Sequence, residues 1–323
     1  MPLMRLIAAV ATLLAAAAPA QDWPTRPVTI IVPFAAGGAF DVMARVFSPH
    51  LSVILGQQVV VENIGAAAGT VGTSRVAKAA PDGYTALFGS VGTHAYNPSL
   101  YRKLSYNALT DFAPVALVAE QPMVLLTRKD FPADTLPEFI AYVKANAAKL
   151  QYGSAGVGST THLGCALLNS AAGIEITHVP YRGGGPVMAD LIAGQVHYMC
   201  SNSAGALPQI QSNTLKGIAL LSRERTPLMP SLPTAHEQGL TDFEAITWNA
   251  FFLPKGTPAD IVKKLNAAIV QMMDAPALAE RMHELGVTLV PAERRSPEYL
   301  QKFVEREIEK WAAPIKSAGI SAD

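Results

Sequence analysis

Residues 28–45 read V-T-I-I-V-P-F-A-A-G-G-A-F-D-V-M-A-R, and this stretch decides the fold. The β-branched run Val28, Thr29, Ile30, Ile31, Val32 has the composition of a strand buried on both faces of a parallel sheet, and Pro33 ends its hydrogen-bond ladder. Gly37 and Gly38 let the backbone turn and approach a ligand closely. A helix starts near Ala39; its first N–H groups lack intrahelical acceptors and point into the turn, where they favour an anion. Asp41 and Arg45, four residues apart, pair along that helix. The same residues also describe an ordinary strand-to-helix connection, so the stretch predicts an α/β fold by itself and an anion seat only if other turns join it.

Other turns do share its character. Residues 150–168, L-Q-Y-G-S-A-G-V-G-S-T-T-H-L-G-C-A-L-L, again give strand, Gly/Ser-rich turn and helix. Gly153, Gly156 and Gly158 loosen that turn, and Ser154, Ser159, Thr160 and Thr161 offer hydroxyls at the helix N-terminus. His162 falls in the first helical turn, where the helix dipole opposes a charged imidazolium, so it is expected neutral. Residues 88–94 (F-G-S-V-G-T-H), 179–186 (V-P-Y-R-G-G-G-P) and 200–205 add further small and hydroxylated turns. Such residues at the carboxyl ends of several strands line the ligand crevice of an open α/β sheet. Arg182 is the one cation in these turns; it either meets a carboxylate or locks onto backbone carbonyls at the surface.

A chain of 323 residues exceeds one typical domain and predicts two lobes with a large apolar core. Charged residues make up 15%, and 25 Lys and Arg balance 25 Asp and Glu, so nothing marks a nucleic-acid or anionic-membrane surface. Any anion must be held by local groups. Arg5, an apolar run over residues 6–18, and Ala18-Pro19-Ala20 before Gln21 match a cleavable secretory signal over residues 1–20. That run is too short to span a bilayer, and Gln21 rather than Cys follows the cut, so the expected mature protein is exported, soluble and without a lipid anchor. Cys165, on a predicted helix, and Cys200, ending a predicted strand, then meet an oxidising compartment, where they either pair as a disulfide or serve as small buried hydrophobes.

No cofactor or metal is expected. The cysteine spacing fits no metal motif, His236-Glu237 and His283-Glu284 lack the second His of an HExxH, and no P-loop or dinucleotide fingerprint occurs. Toward the C-terminus, Thr257-Pro258 opens a helical region that continues through Asp274-Ala275-Pro276 to Gly286, and Ser296-Pro297 opens another that closes near Gly319. There Leu300, Phe303, Ile308, Trp311 and Ile315 recur at helical spacing, as in a stripe packed on a lobe.

Several segments, in order along the chain, resemble one known family. W-P-T-R-P-V-T-I-I-V-P-F-A-A-G-G-A-F-D, L-G-Q-Q-V-V-V-E-N, A-P-D-G-Y-T and Y-G-S-A-G-V-G-S-T-T-H-L are similar to the Bug, or TctC-like, extracytoplasmic receptors of tripartite tricarboxylate transporters. So are H-V-P-Y-R-G-G-G-P, L-P-T-A-H-E-Q-G-L and W-A-A-P-I-K-S-A-G-I. The resemblance implies a two-lobed, periplasmic-binding-protein (Venus flytrap) α/β fold, each lobe a mainly parallel sheet flanked by helices. It implies a periplasmic monomer that clamps a small carboxylate between its lobes through hydrogen bonds, backbone groups and ordered waters, and passes it to membrane permease subunits. Residues 21–122 and 248–323 would form lobe 1 and residues 123–247 lobe 2, with crossing segments near residues 118–126 and 245–252 as hinges.

Carried over residue by residue, the resemblance puts a first clamp on Phe34, Ala35, Ala36, Gly37, Gly38, Ala39, Phe40 and Asp41. The second clamp falls on Ser154, Ala155, Gly156, Val157, Gly158, Ser159, Thr160, Thr161 and His162. Ser90, Gly92, Thr93, His94, Tyr181, Ser201, Asn202 and Ser203 complete the expected cleft. Two departures stand out. Phe40 replaces a small or hydroxylated residue, and either adds an apolar wall suited to an aromatic or branched carboxylate or packs into its own lobe. Asn63-Ile64-Gly65-Ala66-Ala67-Ala68-Gly69 replaces N-R-P-G-A-G-G, which argues against a role for that segment. Asp41 would repel a carboxylate, so its expected partners are the helix dipole and Arg45.

Two other outputs fit parts of the chain. A closed receptor could signal to a membrane sensor kinase instead of a permease. A secreted hydrolase using Ser159 and His162 is the weaker reading, because no G-x-S-x-G elbow surrounds Ser90, Ser154, Ser159 or Ser203.

Overall fold

The computed structural model describes residues 23–241, 243–317 and 319–322, so the expected signal peptide over residues 1–20 lies outside the described residues. In chain order the principal elements are β1 (Val28–Val32), α1 (Ala39–Leu55), β2 (Val59–Asn63), α2 (Thr70–Ala77), β3 (Thr85–Ser90), α3 (Asn97–Leu100) and β4 (Phe112–Arg128). There follow α4 (Leu136–Asn146), β5 (Gln151–Ser154), α5 (Thr160–Ala172), β6 (Thr177–Pro180), α6 (Gly184–Ile192), β7 (Tyr198–Asn202), α7 (Ser203–Gln211) and β8 (Leu215–Leu220). The chain ends with β9 (Ile246–Pro254), α8 (Ala259–Met273), α9 (Pro276–Glu284), β10 (Thr288–Leu289) and α10 (Pro297–Ser317).

These elements make a two-lobed α/β structure. In the first lobe β1 lies between β2 and β3, parallel to both, and its apolar residues Val28, Ile30, Ile31 and Val32 are all buried, as a strand covered on both faces requires. The second lobe repeats the arrangement, with β5 between β6 and β7 and parallel to each. To these parallel pairs the long strands β4 and β9 add antiparallel ones. Residues 112–122 of β4 pair with β9, which also pairs with β3; residues 123–127 pair with β7 and residues 124–128 with β8.

β4 therefore belongs to both lobes, and its change of partner falls between Pro122 and Met123. Pro122 has no N–H to give. Met123 resumes the pairing at once, donating to the Ala245 carbonyl at 3.1 Å and accepting from Leu221 N–H at 2.7 Å. The side-chain alternation of β4 feeds a separate core on each side of the change. Val115, Leu117 and Ala119 enter the first-lobe core with Phe47, Phe88 and Phe251. Met123 and Leu125 face Phe139, Tyr198, Cys165 and Cys200 on one side of the second sheet, while Val124 and Leu126 face Leu191, Met199 and Leu207 on the other. Within that second lobe Cys165 of α5 and Cys200 of β7 form a disulfide, with Cα atoms 5.2 Å apart.

The C-terminal stripe packs as its spacing predicts. Leu300, Phe303, Trp311 and Ile315 are buried, and Glu307 beneath them accepts the indole N–H of both Trp248 (2.9 Å) and Trp311 (3.0 Å), tying α10 to β9. The helical region expected from Thr257 to Gly286 differs from the reading. It is two helices, because Pro276 begins α9 and holds Ala275 in extended backbone (φ −72°, ψ 119°). Pro258 is the N-cap of α8 rather than its first helical residue.

The disulfide closes a sequence separation of 35 residues. Replacing both cysteines by Ala should lower stability by about 2–4 kcal/mol, measured as a reduced urea midpoint, with a somewhat larger m-value because the uncrosslinked unfolded chain exposes more surface.

Candidate functional site

A cleft of ≈ 320 Å³ lies between the lobes. Four helices begin at it: α1 through Gly38, Ala39 and Phe40, α5 through Ser159, Thr160 and Thr161, α6 through Gly183, Gly184 and Gly185, and α7 through Asn202, Ala204 and Gly205. Each helix start brings N–H groups without intrahelical acceptors and the positive end of a dipole. Among the described residues that line the cleft, none is Asp, Glu, Lys, Arg or His. An anion placed there would meet dipoles and N–H groups rather than a counter-charge. The lobes touch across the cleft: a Cβ on Gly183 would stand 3.3 Å from that of Ala35, one on Gly158 would stand 3.1 Å from that of Ala68, and the Ser203 hydroxyl donates to the Gly286 carbonyl.

The first-lobe turn is fixed from below by Asp41. Its carboxylate accepts from Gly37 N–H at 2.8 Å and pairs with Arg45 at 2.9 Å; Arg45 reaches Asn63 at 3.0 Å, and Asn63 donates to the Phe34 carbonyl at 3.1 Å. Burial pushes the Asp41 pKa up, but hydrogen bonds from Arg45, Gly37 and Asn63, with the Arg45 charge, outweigh it and hold the carboxyl below its ordinary value. Asp41 thus shapes the clamp without lining it, which corrects its place among the expected ligand contacts. Gly65 backs the same turn, since a Cβ there would meet Ala35 N at 2.6 Å. The segment from Asn63 therefore has a supporting part, contrary to expectation, because its backbone and amide, not the missing Arg and Pro, do the bracing.

The second-lobe turn is held by its own hydroxyls. Ser159 caps α5, accepting from His162 N–H at 3.2 Å while its hydroxyl donates to Gly156 O at 2.7 Å; Thr161 Oγ1 accepts from Ala155 N–H at 2.8 Å. His162 Nδ1 accepts from Gly158 N–H at 3.1 Å, and its ring stacks on His178 at 4.1 Å. Burial, then the neighbouring His178, pushes the His162 pKa down to about 3, so the ring is neutral near pH 7. With Ser159 committed to a carbonyl and His162 to a loop N–H, neither forms a nucleophile and base pair.

Of the residues expected at the site, the cleft brings together Phe34, Ala35, Gly37, Gly38, Ala39, Phe40, Ala155, Ser159, Thr160, Thr161, Ser201 and Asn202. Phe40 does both things its sequence position allowed: it is only 8% exposed, within the first-lobe core, and it also lines the cleft, its ring 4.9 Å from that of Phe34. The others sit elsewhere. Ala36 is exposed beside the turn. Ser90, Gly92, Thr93 and His94 are buried where β3 runs into a π-helical turn (Gly92–Tyr96); Gly92 faces Thr160 at the start of α5, where a Cβ would stand 3.5 Å from its methyl, and His94 stacks on Phe252 at 3.8 Å. Ser154 bonds His178 at 2.7 Å beneath the turn, and Tyr181 donates to Asp190 at 2.7 Å. Gly156 and Gly158 form the turn at positive φ (120° and 78°) without lining the cleft. Val157 and His162 line a separate ≈ 900 Å³ cavity with Tyr152 and His178, and Ser203 is spent on Gly286.

The reading also missed residues. Val42, Met43, Gly183, Gly184, Gly185, Met188, Met199, Ala204, Gly205, Pro208, Gln209 and Leu285 line the cleft. The Gly183-Gly184-Gly185 run was a legible signal, whereas Met188, Met199 and Leu285 look like core residues from sequence and reach the cleft only through the packing of α6, β7 and α9.

Residues 43–320 match the model of the tripartite tricarboxylate transporter family receptor. Among solved structures, the chain is similar to the periplasmic binding protein BugD (40% identity, TM-score 0.88, covering 93% of this chain and 99% of that one). It is similar to MatC from Rhodopseudomonas palustris, solved with bound malate (40%, TM-score 0.87, 90% and 99%). A second R. palustris protein, solved with adipate, is 35% identical with a TM-score of 0.88, over 93% of this chain and 99% of that one. The fold is thus that of periplasmic binding proteins of this type.

Two outcomes test the site as built. Gly38 is extended (ψ 166°), the conformation a following proline requires, so Ala39→Pro deletes one cleft N–H while keeping α1; anion affinity should fall at least about tenfold by calorimetry, with stability changed by less than about 1 kcal/mol. Burial also holds His94 down to about 3, as burial and His178 do His162. Between about pH 6.5 and 3 the unfolded chain binds protons that these folded rings refuse, so stability should fall with falling pH, by up to about 1.4 kcal/mol per pH unit for each ring. Urea titrations from pH 7 to 4 measure that slope, and His94→Phe should make it shallower.

Proposed function

We propose, from the premise that the chain belongs to the tripartite tricarboxylate transporter receptor family, that it captures a small organic carboxylate between its lobes and delivers it to membrane permease subunits. The observation that carries this reading is the convergence of four helix N-termini on an uncharged cleft whose two lobes touch. Oriented N–H groups and helix dipoles match a carboxylate without a buried cation, and they are in place before the ligand arrives. Malate and adipate in the two R. palustris relatives support the same ligand class. The closed state binds the ligand far more tightly than the open one, and this difference drives closure.

In this reading the mature chain works in the periplasm as a monomer, exported by residues 1–20. Lobe 1 comprises residues 21–122 and 248–323, and lobe 2 residues 123–247; the partner change of β4 at Pro122 and Met123 supports that division. Rotation about residues 118–126 and 245–252 opens and closes the cleft. The chain is a receptor rather than an enzyme, a reading supported by the committed hydroxyl of Ser159.

The test is a thermal-shift and calorimetric screen of the mature protein against mono-, di- and tricarboxylates. A bound acid at a hundredfold its Kd should add about 2.7 kcal/mol of stability. The corresponding amides should add little. If no carboxylate binds, the proposed ligand class is wrong; if one binds but its uptake by cells is unchanged when the gene is deleted, delivery to a permease is wrong.

A further inference from the structure

The carboxylate-receptor reading leaves the rest of the ligand undefined, yet the walls of the cleft are chemically unequal. The helix starts supply N–H groups to the cleft and Thr160 adds a hydroxyl, whereas the Ser159 and Thr161 hydroxyls are engaged within their own turn. Much of the remaining wall is apolar. Phe34 and Phe40 meet at 4.9 Å with their planes inclined by 54°, forming an aromatic corner on the first lobe. Met43 stands beside it on α1, and the second lobe contributes Met188 and Met199. Rings prefer inclined or edge contacts with other rings, and thioethers contact ring edges favourably.

A carboxylate set against this apolar wall finds no such match. Among the described lining residues there is no cation, and beyond the hydroxyls the polar side chains are Asn202 and Gln209. A carboxylate pressed against rings and thioethers loses hydration without gaining a partner charge. The volume, ≈ 320 Å³, is at the small end for ligand pockets, about 300–1,000 Å³, and accommodates a single ring. Phe40 is also fixed: it is packed in the first-lobe core at 8% exposure, so its ring is a rigid wall rather than a mobile flap.

We infer that the ligand is an aromatic carboxylate, its acid group on the helix N-termini and its ring between the Phe34 and Phe40 corner and the methionines of the second lobe. This rests on the carboxylate-receptor reading and goes beyond it in naming the body of the acid.

Calorimetry on the mature protein with benzoate and phenylacetate, against malate, adipate and citrate, and with benzamide as the uncharged control, separates the two claims. The expected result is aromatic acids at least tenfold tighter than the di- and tricarboxylates, and benzamide at least tenfold weaker than benzoate. Tighter binding of malate, adipate or citrate overturns the aromatic body and leaves the receptor reading standing. No binding by any acid, or benzamide equal to benzoate, overturns both. Phe40→Thr should weaken benzoate at least tenfold; because Phe40 also supports the core, Met188→Ala, at a partly exposed position of the other lobe, is the second variant and should act in the same direction. Unchanged benzoate affinity in folded Met188→Ala protein overturns the proposed seat of the ring.

Discussion

The antiparallel ladder between β4 and β9 is the interaction on which both lobes depend. Glu120 opposes Trp248, Gln121 opposes Thr247 and Pro122 opposes Ile246, and directly beyond that point β4 turns to β7 and β8. Strands shared by two sheets transmit the position of one sheet to the other, so the placement of the second-lobe helices over α1 is set here. The ladder is also locally interrupted. Its register shifts between Pro114 and Ala116 and between Leu117 and Ala119, and Pro122 withholds a donor. Gln121, Thr247 and Asn249 are buried at the same crossing, where Gln121 Nε2 lies 3.4 Å from Met43 Sδ, so a polar layer separates the apolar cores. The bidentate pair of Arg294 with Glu120, at 2.7 and 2.5 Å, anchors β4 to the first lobe just before it leaves.

The cleft solves an electrostatic problem without a charge of its own. A lysine or arginine inside a closing cleft would lose hydration each time the lobes met, and would need a partner in the empty state. Helix N-termini have no such cost, because their dipoles are fixed by the same hydrogen bonds that make the helices. The Asp41 carboxylate behind the first-lobe turn is paired with Arg45 and spent on Gly37. What the ligand meets is therefore a ring of aimed donors set against apolar side chains, and selectivity passes to the shape and polarity of those side chains.

Much of this was legible in the sequence, and for definite reasons. The β-branched run of β1 and the Gly-rich turn after it are local signals, and so is the second turn before α5; each needs only neighbouring residues to form. The pairing of Asp41 with Arg45 follows from helical spacing alone. What was not legible depends on contacts between distant residues. His94 sits in a Gly- and Thr-rich turn that reads like a binding loop, yet a π-helical turn sends it onto Phe252, more than a hundred residues away. Met188, Met199 and Leu285 carry no local mark of a site, and only the approach of α6, β7 and α9 to α1 makes them walls of one. Asn63 was discounted because its neighbours were unusual, although its amide alone bridges Arg45 and Phe34.

The route of β9 has a consequence for how the chain is made. Strand β3 is finished at Ser90, but its next neighbour in the sheet, β9, contributes Asn249 as the partner of that same residue. During synthesis the first lobe thus lacks an inner strand, and the whole of α10, until nearly the entire chain has emerged. The second lobe is built from one continuous run and can condense earlier, so the lobe translated first is the one completed last. Long-range closure of this kind is slow relative to local folding. An N-terminal half that is unable to lock by itself therefore stays open until β9 and α10 arrive to complete it.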